Sequence, residues 1–236
     1  MGFTFKQFHI EQDQCAMKVG TDGVLLGAWA EGGKRILDIG TGTGLIALMM
    51  AQRYPEAVIN GIEIEENAAH QALSNANNSP FKAQIKIFHT SLQNHTATLA
   101  CEKMPTLYDA IVSNPPFFVA SLKNHKSNKT MARHTDTLPF SDLMKCSHFL
   151  LQPEGTLSII IPTDQLKMIE TEASIYGFFI SQMVHIKTKN NKPSKRLLMQ
   201  FKKHPSPIIQ QEVSLINASN ERSEWYTELT KDFYIK

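Results

Sequence analysis

The sequence has little cysteine. Cys15, Cys101 and Cys146 are scattered along 236 residues, with no C-x-x-C pair and no cysteine–histidine cluster. That excludes a zinc knuckle and a disulfide framework, and it fits a reducing compartment. Long apolar runs are also missing. The longest, such as Ile46 to Ala51 and Leu157 to Pro162, fall far short of the ~20 residues that a spanning helix needs. The opening Met1-Gly2-Phe3-Thr4-Phe5-Lys6 lacks the apolar stretch of a signal peptide. A cytoplasmic monomer that holds no metal and does not enter a membrane is expected. Charge of one sign is scarce as well. A net charge of +2 is too small to identify a nucleic-acid partner, so local clusters must make that case. There is no internal repeat.

What is present is an alternation of short apolar strands and amphipathic helices. Phe3 to Ile10 is expected to pair as a hairpin with Cys15 to Val19. Thr21 or Asp22 is expected to cap a helix over Gly23 to Ala30. Strands are then expected at Arg35 to Ile39, Val58 to Ile64, Ile85 to Phe88, Asp109 to Ser113 and Thr156 to Ile161. Helices are expected at Leu45 to Arg53, Glu66 to Asn77, Phe140 to Leu151 and Gln165 to Tyr176, with another before Asp109. Phe179 to Lys187 and Leu197 to Lys203 read as two strands with no helix between them, hence antiparallel. This pattern predicts an α/β fold with a seven-stranded, mainly parallel sheet, an antiparallel C-terminal strand and helices on both faces. One domain is expected over residues 1–236. Residues 1–33 form an N-terminal hairpin and helix extension, and residues 205–236 a C-terminal tail and helix. In that helix Trp225, Leu229 and Phe233 lie on one stripe, which reads as core packing.

Ile36-Leu37-Asp38-Ile39-Gly40-Thr41-Gly42-Thr43-Gly44 ends the first long strand and opens a helix. Ligands bind at such carboxyl strand ends in open α/β sheets. The dinucleotide fingerprint would need its third glycine at position 45, which is Leu45, and no G-K-[ST] follows to make a P-loop. The turn, with its strand-final Asp38, resembles the cofactor loop of class I (Rossmann-like) S-adenosylmethionine-dependent methyltransferases. By that resemblance Asp38 stands near the methionine moiety and Gly40, Gly42 and Gly44 line the cofactor. Glu63, ending the second strand, accepts protons from both ribose hydroxyls. This superfamily often has an acidic residue after the third strand. Here His89-Thr90-Ser91-Leu92-Gln93 stands there, and Ser91 or a backbone N–H is the expected substitute.

Asn114-Pro115-Pro116-Phe117 follows the fourth strand directly, at the same rim as the glycine turn. An Asn-Pro pair anywhere else would read as a stiff turn. At this rim the residue types have chemical meaning. The lone pair of an aromatic or amide NH2 group is delocalised. An asparagine side-chain oxygen and the Pro115 carbonyl can each accept one of its N–H bonds and so aim the lone pair at a methyl donor. Proline fixes the direction of that carbonyl. Phe117 offers a flat face to a planar substrate, and Phe118 is either a second wall or core.

The tetrad and glycine turn together resemble amino-methyltransferases of DNA, RNA and glutamine. The stretch Met17-Lys18-Val19-Gly20-Thr21-Asp22-Gly23-Val24-Leu25-Leu26-Gly27-Ala28-Trp29-Ala30 is narrower. It resembles the bacterial valine-tRNA adenine-37 N6-methyltransferase family, and the likeness runs over nearly the whole chain. The resemblance implies S-adenosylmethionine as cofactor, the anticodon stem-loop of valine tRNA as partner, and Thr21 and Asp22 lying over the cofactor.

Two acid-free basic clusters suit phosphate contacts. Lys123, Lys126, Lys129 and Arg133 follow the tetrad. Lys187, Lys189, Lys192, Lys195, Arg196, Lys202 and Lys203 form the second. Two other functions remain open: an N-methyltransferase acting on ribosomal RNA or on a protein glutamine, and an inactive RNA-binding protein of the same fold. Too few residues precede Arg35 for the helical domain of release-factor glutamine methyltransferases.

Overall fold

The computed structural model describes residues 2–15, 17–103, 107–116 and 138–235. A two-stranded hairpin, β1 (Phe3–Thr4) and β2 (His9–Ile10), precedes α1 (Thr21–Trp29). Alternation follows through β3 (Arg35–Ile39), α2 (Leu45–Arg53), β4 (Val58–Glu63), α3 (Glu66–Asn77), β5 (Ile85–His89), α4 (Leu92–Cys101) and β6 (Tyr108–Ser113). Next come α5 (Phe140–Leu150), β7 (Leu151–Pro162), a 3-10 turn at Thr163–Gln165 and α6 (Leu166–Ile175). The chain closes with β8 (Phe179–Lys189), β9 (Ser194–Lys202), β10 (Ile209–Ile216) and α7 (Glu224–Thr230). Among the described residues no helix is long and apolar enough to cross a membrane.

The main sheet runs β10-β8-β9-β7-β6-β3-β4-β5. It is parallel except for β9, which is antiparallel to both neighbours. The α/β class is as expected. The sheet has an eighth strand, β10, inside the segment read as a tail, and it pairs parallel to β8. Val213 is its one buried residue. An edge strand that buries so little leaves hardly any alternating pattern in the sequence.

Two apolar layers cover the sheet. Ile36, Ala110, Val112 and Ile160 pack with α1 and α2 on one face, while Leu37, Ile111, Leu157 and Ile159 pack with α4, α5 and α6 on the other. Neighbouring residues of one strand serve opposite faces, the period of two that the strands require. Phe233 is buried in the first layer, with Trp225 and Leu229 packed beside it. The C-terminal stripe is therefore core, as read.

Two N-terminal details depart from expectation. Thr4 and Phe3 pair with His9 and Ile10, not with Cys15 to Val19. Residues 11–15 instead lie as a strap held by side chains of α3. Asn75 accepts from the Glu11 N–H at 3.0 Å and donates to the carbonyls of Glu11 and Thr43, each at 2.8 Å. Gln71 accepts from the Gln14 N–H at 3.1 Å. The helix begins at Thr21, and the residue before it, Gly20, is extended and offers no side-chain cap. Thr21 and Asp22 thus sit in the first turn rather than capping it.

α1 rests almost flush on α2. A Cβ at Gly23 would meet Leu45 Cδ2 at 3.0 Å, and one at Gly27 would meet Met49 Sδ at 2.8 Å. Both pairs are four residues apart, so one glycine ridge fits one apolar ridge. The close approach brings the start of α1 beside the glycine turn.

Candidate active site

The strand order reverses between β3 and β6, and the carboxyl ends of these strands frame the site. Gly40, Gly42 and Gly44 all take positive φ, of 68°, 55° and 83°. L-residues with a Cβ avoid that region, so the turn needs its glycines. Gly44 is the residue before α2, and nothing lies within 4 Å of a Cβ built on Gly40. That open space is a cradle into which a ligand can approach the backbone.

Two carboxylates brace the turn from below. Asp38 is fully buried; its Oδ2 accepts from the Thr41 hydroxyl at 2.6 Å and the Ala47 N–H at 3.1 Å. Its Oδ1 is buried without a partner among the described residues. Burial pushes the Asp38 carboxyl up to about 7, against the lowering effect of the Thr41 and Ala47 bonds. Glu63 holds the turn itself. Its Oε2 accepts from the Gly42 N–H at 2.9 Å, and its Oε1 from Ile64 and Glu65 at 2.9 and 3.0 Å. A carboxylate has about four acceptor sites. Three are used here, which leaves one open acceptor site on Oε2.

Asn114 projects from the end of β6, anchored by the Ser113 hydroxyl, which donates to the Ile39 carbonyl at 3.0 Å. The Asn114 side-chain oxygen is buried and has no hydrogen-bond partner among the described residues. Its amide nitrogen lies 4.0 Å from Met17 Sδ, a weak acceptor. A buried carbonyl oxygen left unbonded is costly unless something else bonds it. Pro115 is buried and Pro116 exposed. Phe117, Phe118, Lys123, Lys126, Lys129 and Arg133 lie outside the described residues.

A cavity of about 370 Å³ joins these parts, within the usual range for small-molecule sites. Gly40, Gly42, Thr21, Asp22 and Asn114, all expected site residues, line it together. Asp38, Glu63 and Gly44 support its floor. Ser91 does not line it. Ser91 begins α4 and accepts from the Asn94 N–H at 3.1 Å, a capping role. Sequence reasoning passed over Met17 and Lys18, which line the cavity, as does Thr41 of the glycine turn. Ile64, directly after Glu63, is a large apolar side chain 55% exposed, outside the residues that line the cavity.

The second basic cluster divides. Lys192 and Lys195 are exposed at the turn between β8 and β9. That turn lies at the catalytic rim, because β8 runs parallel to β7 through the sheet. Lys187 pairs with Glu212 at 2.5 Å, Lys189 donates to Asn220 at 2.5 Å and Lys203 donates to the Leu151 carbonyl at 2.5 Å. Arg196, expected on RNA, pairs with Asp22, Nε to Oδ2 at 2.7 Å. Among the described residues there is no group of three or more His, Cys, Asp or Glu arranged to hold a metal ion.

The methyltransferase small domain model matches residues 19–184. The chain is 44% identical over 99% of its length to a protein of Bacteroides thetaiotaomicron, covering 97% of that relative. A relative from Aeromonas hydrophila is 39% identical over 100% of this chain and 98% of its own. Both are named tRNA1(Val) (adenine(37)-N6)-methyltransferase. Among solved structures, one described as a predicted O-methyltransferase from Agrobacterium tumefaciens matches 90% of this chain and 96% of its own. Its TM-score is 0.68 and its identity 17%, a likeness of fold.

Proposed function

The chain belongs to the methyltransferase small domain family, and on that premise we propose that it methylates the exocyclic N6 of adenine 37 in the anticodon loop of valine tRNA. The observation that carries this reading is the buried, unbonded Asn114 oxygen in the same cavity as the glycine turn. The cavity residues fit S-adenosylmethionine, with a glycine cradle, the buried Asp38 and part-buried Glu63 carboxylates beneath it and one spare acceptor site on Glu63. That cofactor, when bound, supplies a methyl group activated on a sulfonium sulfur.

The residues divide the work. Glu63 accepts from a ribose hydroxyl, and Ile64 offers an aliphatic face to the flat base. Asp22 and Thr21 close the cavity from α1. The Asn114 side-chain oxygen and Pro115 carbonyl accept the two N–H bonds of the adenine amine, which turns its lone pair out of conjugation. No strong base is needed, since the nitrogen sheds its proton readily once cationic. Alignment of this kind accounts for roughly 7–11 kcal/mol in well-oriented reactions. Phe117 stacks on the base, worth about 1–3 kcal/mol. Lys192 and Lys195 meet phosphates at the same rim. An anticodon-loop base is already unpaired, so extruding it costs less than from a duplex. The proposed place of action is the cytoplasm, where that substrate is found.

Mass spectrometry of valine tRNA from cells with and without this protein tests the reading. N6-methyladenosine at position 37 is expected only where the protein is present. An unchanged modification, with a methyl instead missing from ribosomal RNA or a release factor, would overturn it.

A pH dependence follows from Asp38. Its folded-state value, about 7, lies above the ordinary aspartate value of about 3.9. The stability it contributes is complete below the unfolded value and is lost as pH rises through about 7. A cationic ligand beside it favours the ionised form. Cofactor binding should therefore release a proton below about pH 7, and affinity should rise from about pH 6 to about pH 8. Asp38→Asn should flatten that rise. Calorimetry in buffers of differing ionisation enthalpy measures both, and a flat wild-type profile would contradict the assignment.

A further inference from the structure

Helix α1 supplies one wall of the cavity through Gly20, Thr21, Asp22 and Gly23. Nothing in its own sequence fixes that end, because Gly20 provides no side-chain cap. Val24, Leu25 and Leu26 bury the middle of the helix in the core, and Gly23 and Gly27 let it sit close on α2. Two arginines from other elements add directed polar ties at its ends. At the far end Arg53 of α2 donates to the carbonyls of Gly27 and Ala30, at 3.1 and 2.6 Å. At the cavity end Arg196 donates from Nε to Asp22 Oδ2 at 2.7 Å.

Arg196 stands on a rigid base. It is registered against Pro162 of β7 on one side and Ile186 of β8 on the other. It also donates from Nη1 to the Lys195 carbonyl at 3.1 Å, beside the exposed basic turn. The pair is partly buried, with the Arg196 and Asp22 side chains 32% and 22% exposed. Solvent screens such a pair less than a fully exposed one. A guanidinium also holds a carboxylate in a directed geometry that a lysine point charge does not.

We propose that Arg196 is a positioning residue for the cofactor cavity, acting through Asp22, and not a phosphate contact. It ties the start of α1 to the sheet and so sets the wall that Thr21 and Asp22 present. It also makes the basic β8–β9 turn and the cofactor cavity parts of one braced unit. This inference rests on the reading of the cavity as the S-adenosylmethionine site.

The test is titration of purified protein with S-adenosylmethionine, together with steady-state kinetics on unmodified valine tRNA. Arg196→Gln is expected to raise the cofactor Kd and KM about five- to tenfold, the low end of usual coupling between sites, with kcat at saturation nearly kept. Arg196→Lys should restore part of the loss. Asp22→Asn should raise the cofactor Kd as well. The double variant Arg196→Gln/Asp22→Asn should be no worse than the poorer single, because both remove one interaction. The proposal is overturned if the two losses simply add. It is overturned equally if Arg196→Gln leaves cofactor affinity within about twofold while weakening tRNA binding with a shallower salt dependence, as a phosphate contact does. Failure of the wild-type protein to bind S-adenosylmethionine would instead sink the cavity reading itself.

Discussion

Asn114→Ala is expected to lower kcat on the order of 10³-fold, about 4 kcal/mol of activation free energy, while cofactor affinity stays within about threefold. The side-chain oxygen is buried and has no hydrogen-bond partner among the described residues, so its removal costs the resting enzyme little. Its bond to the amine strengthens as the nitrogen gains positive charge. An interaction made mainly in the transition state is lost from kcat rather than from binding. Asn114→Asp keeps an acceptor in place and should fall between wild type and alanine. Single-turnover rates, read beside cofactor calorimetry, separate the two effects. Equal loss of turnover and cofactor binding in Asn114→Ala would make Asn114 a structural residue of the rim.

Glu63 carries the second large effect, on binding rather than chemistry. Glu63→Gln is expected to weaken S-adenosylmethionine about 100-fold, close to 2.7 kcal/mol. The reason is that both carboxylate oxygens accept backbone N–H groups, of Gly42 on one side and of Ile64 and Glu65 on the other. A glutamine must turn its NH2 group towards one of these donors. At least one backbone N–H is then unpaired, at about 1–3 kcal/mol for each such group. If the amide turns its NH2 to Gly42, the glycine turn loses its brace as well as the acceptor for ribose. Glu63→Ala should be no worse than Glu63→Gln by more than a few-fold. Thermal unfolding with and without cofactor would register the same loss as a diminished ligand-induced shift. Full cofactor affinity in Glu63→Gln would mean that the carboxylate only shapes the strand end.

Those two residues were legible in the sequence for local reasons. The glycines of 40–44 stand where a strand-to-helix turn needs positive φ, and Asp38 and Glu63 end adjacent parallel strands. Asn114 is followed by two prolines, which can only mark a fixed turn once a strand precedes them. The capping role of Ser91 also had a local signal: a serine just before a helix, three residues from the N–H it accepts from, is a cap. Other features were hidden because their partners are remote. Asp22 and Arg196 meet across 174 positions of sequence separation, so Arg196 looked like one more surface cation. The strap over residues 11–15 depends on Asn75 and Gln71, whose role no pattern near either segment announces. Strand β10 was hidden because an edge strand with one buried residue leaves little periodicity.

The central claim is the identity of the acceptor atom, and one measurement reaches it most directly. Purified protein is incubated with labelled S-adenosylmethionine and an unmodified valine tRNA transcript, and the product is digested and its nucleosides located by mass spectrometry. The expected product carries a single N6-methyladenosine at position 37, and a transcript with guanine at that position accepts no methyl. A methyl group on any other atom, or equal transfer to the guanine transcript, would contradict the account.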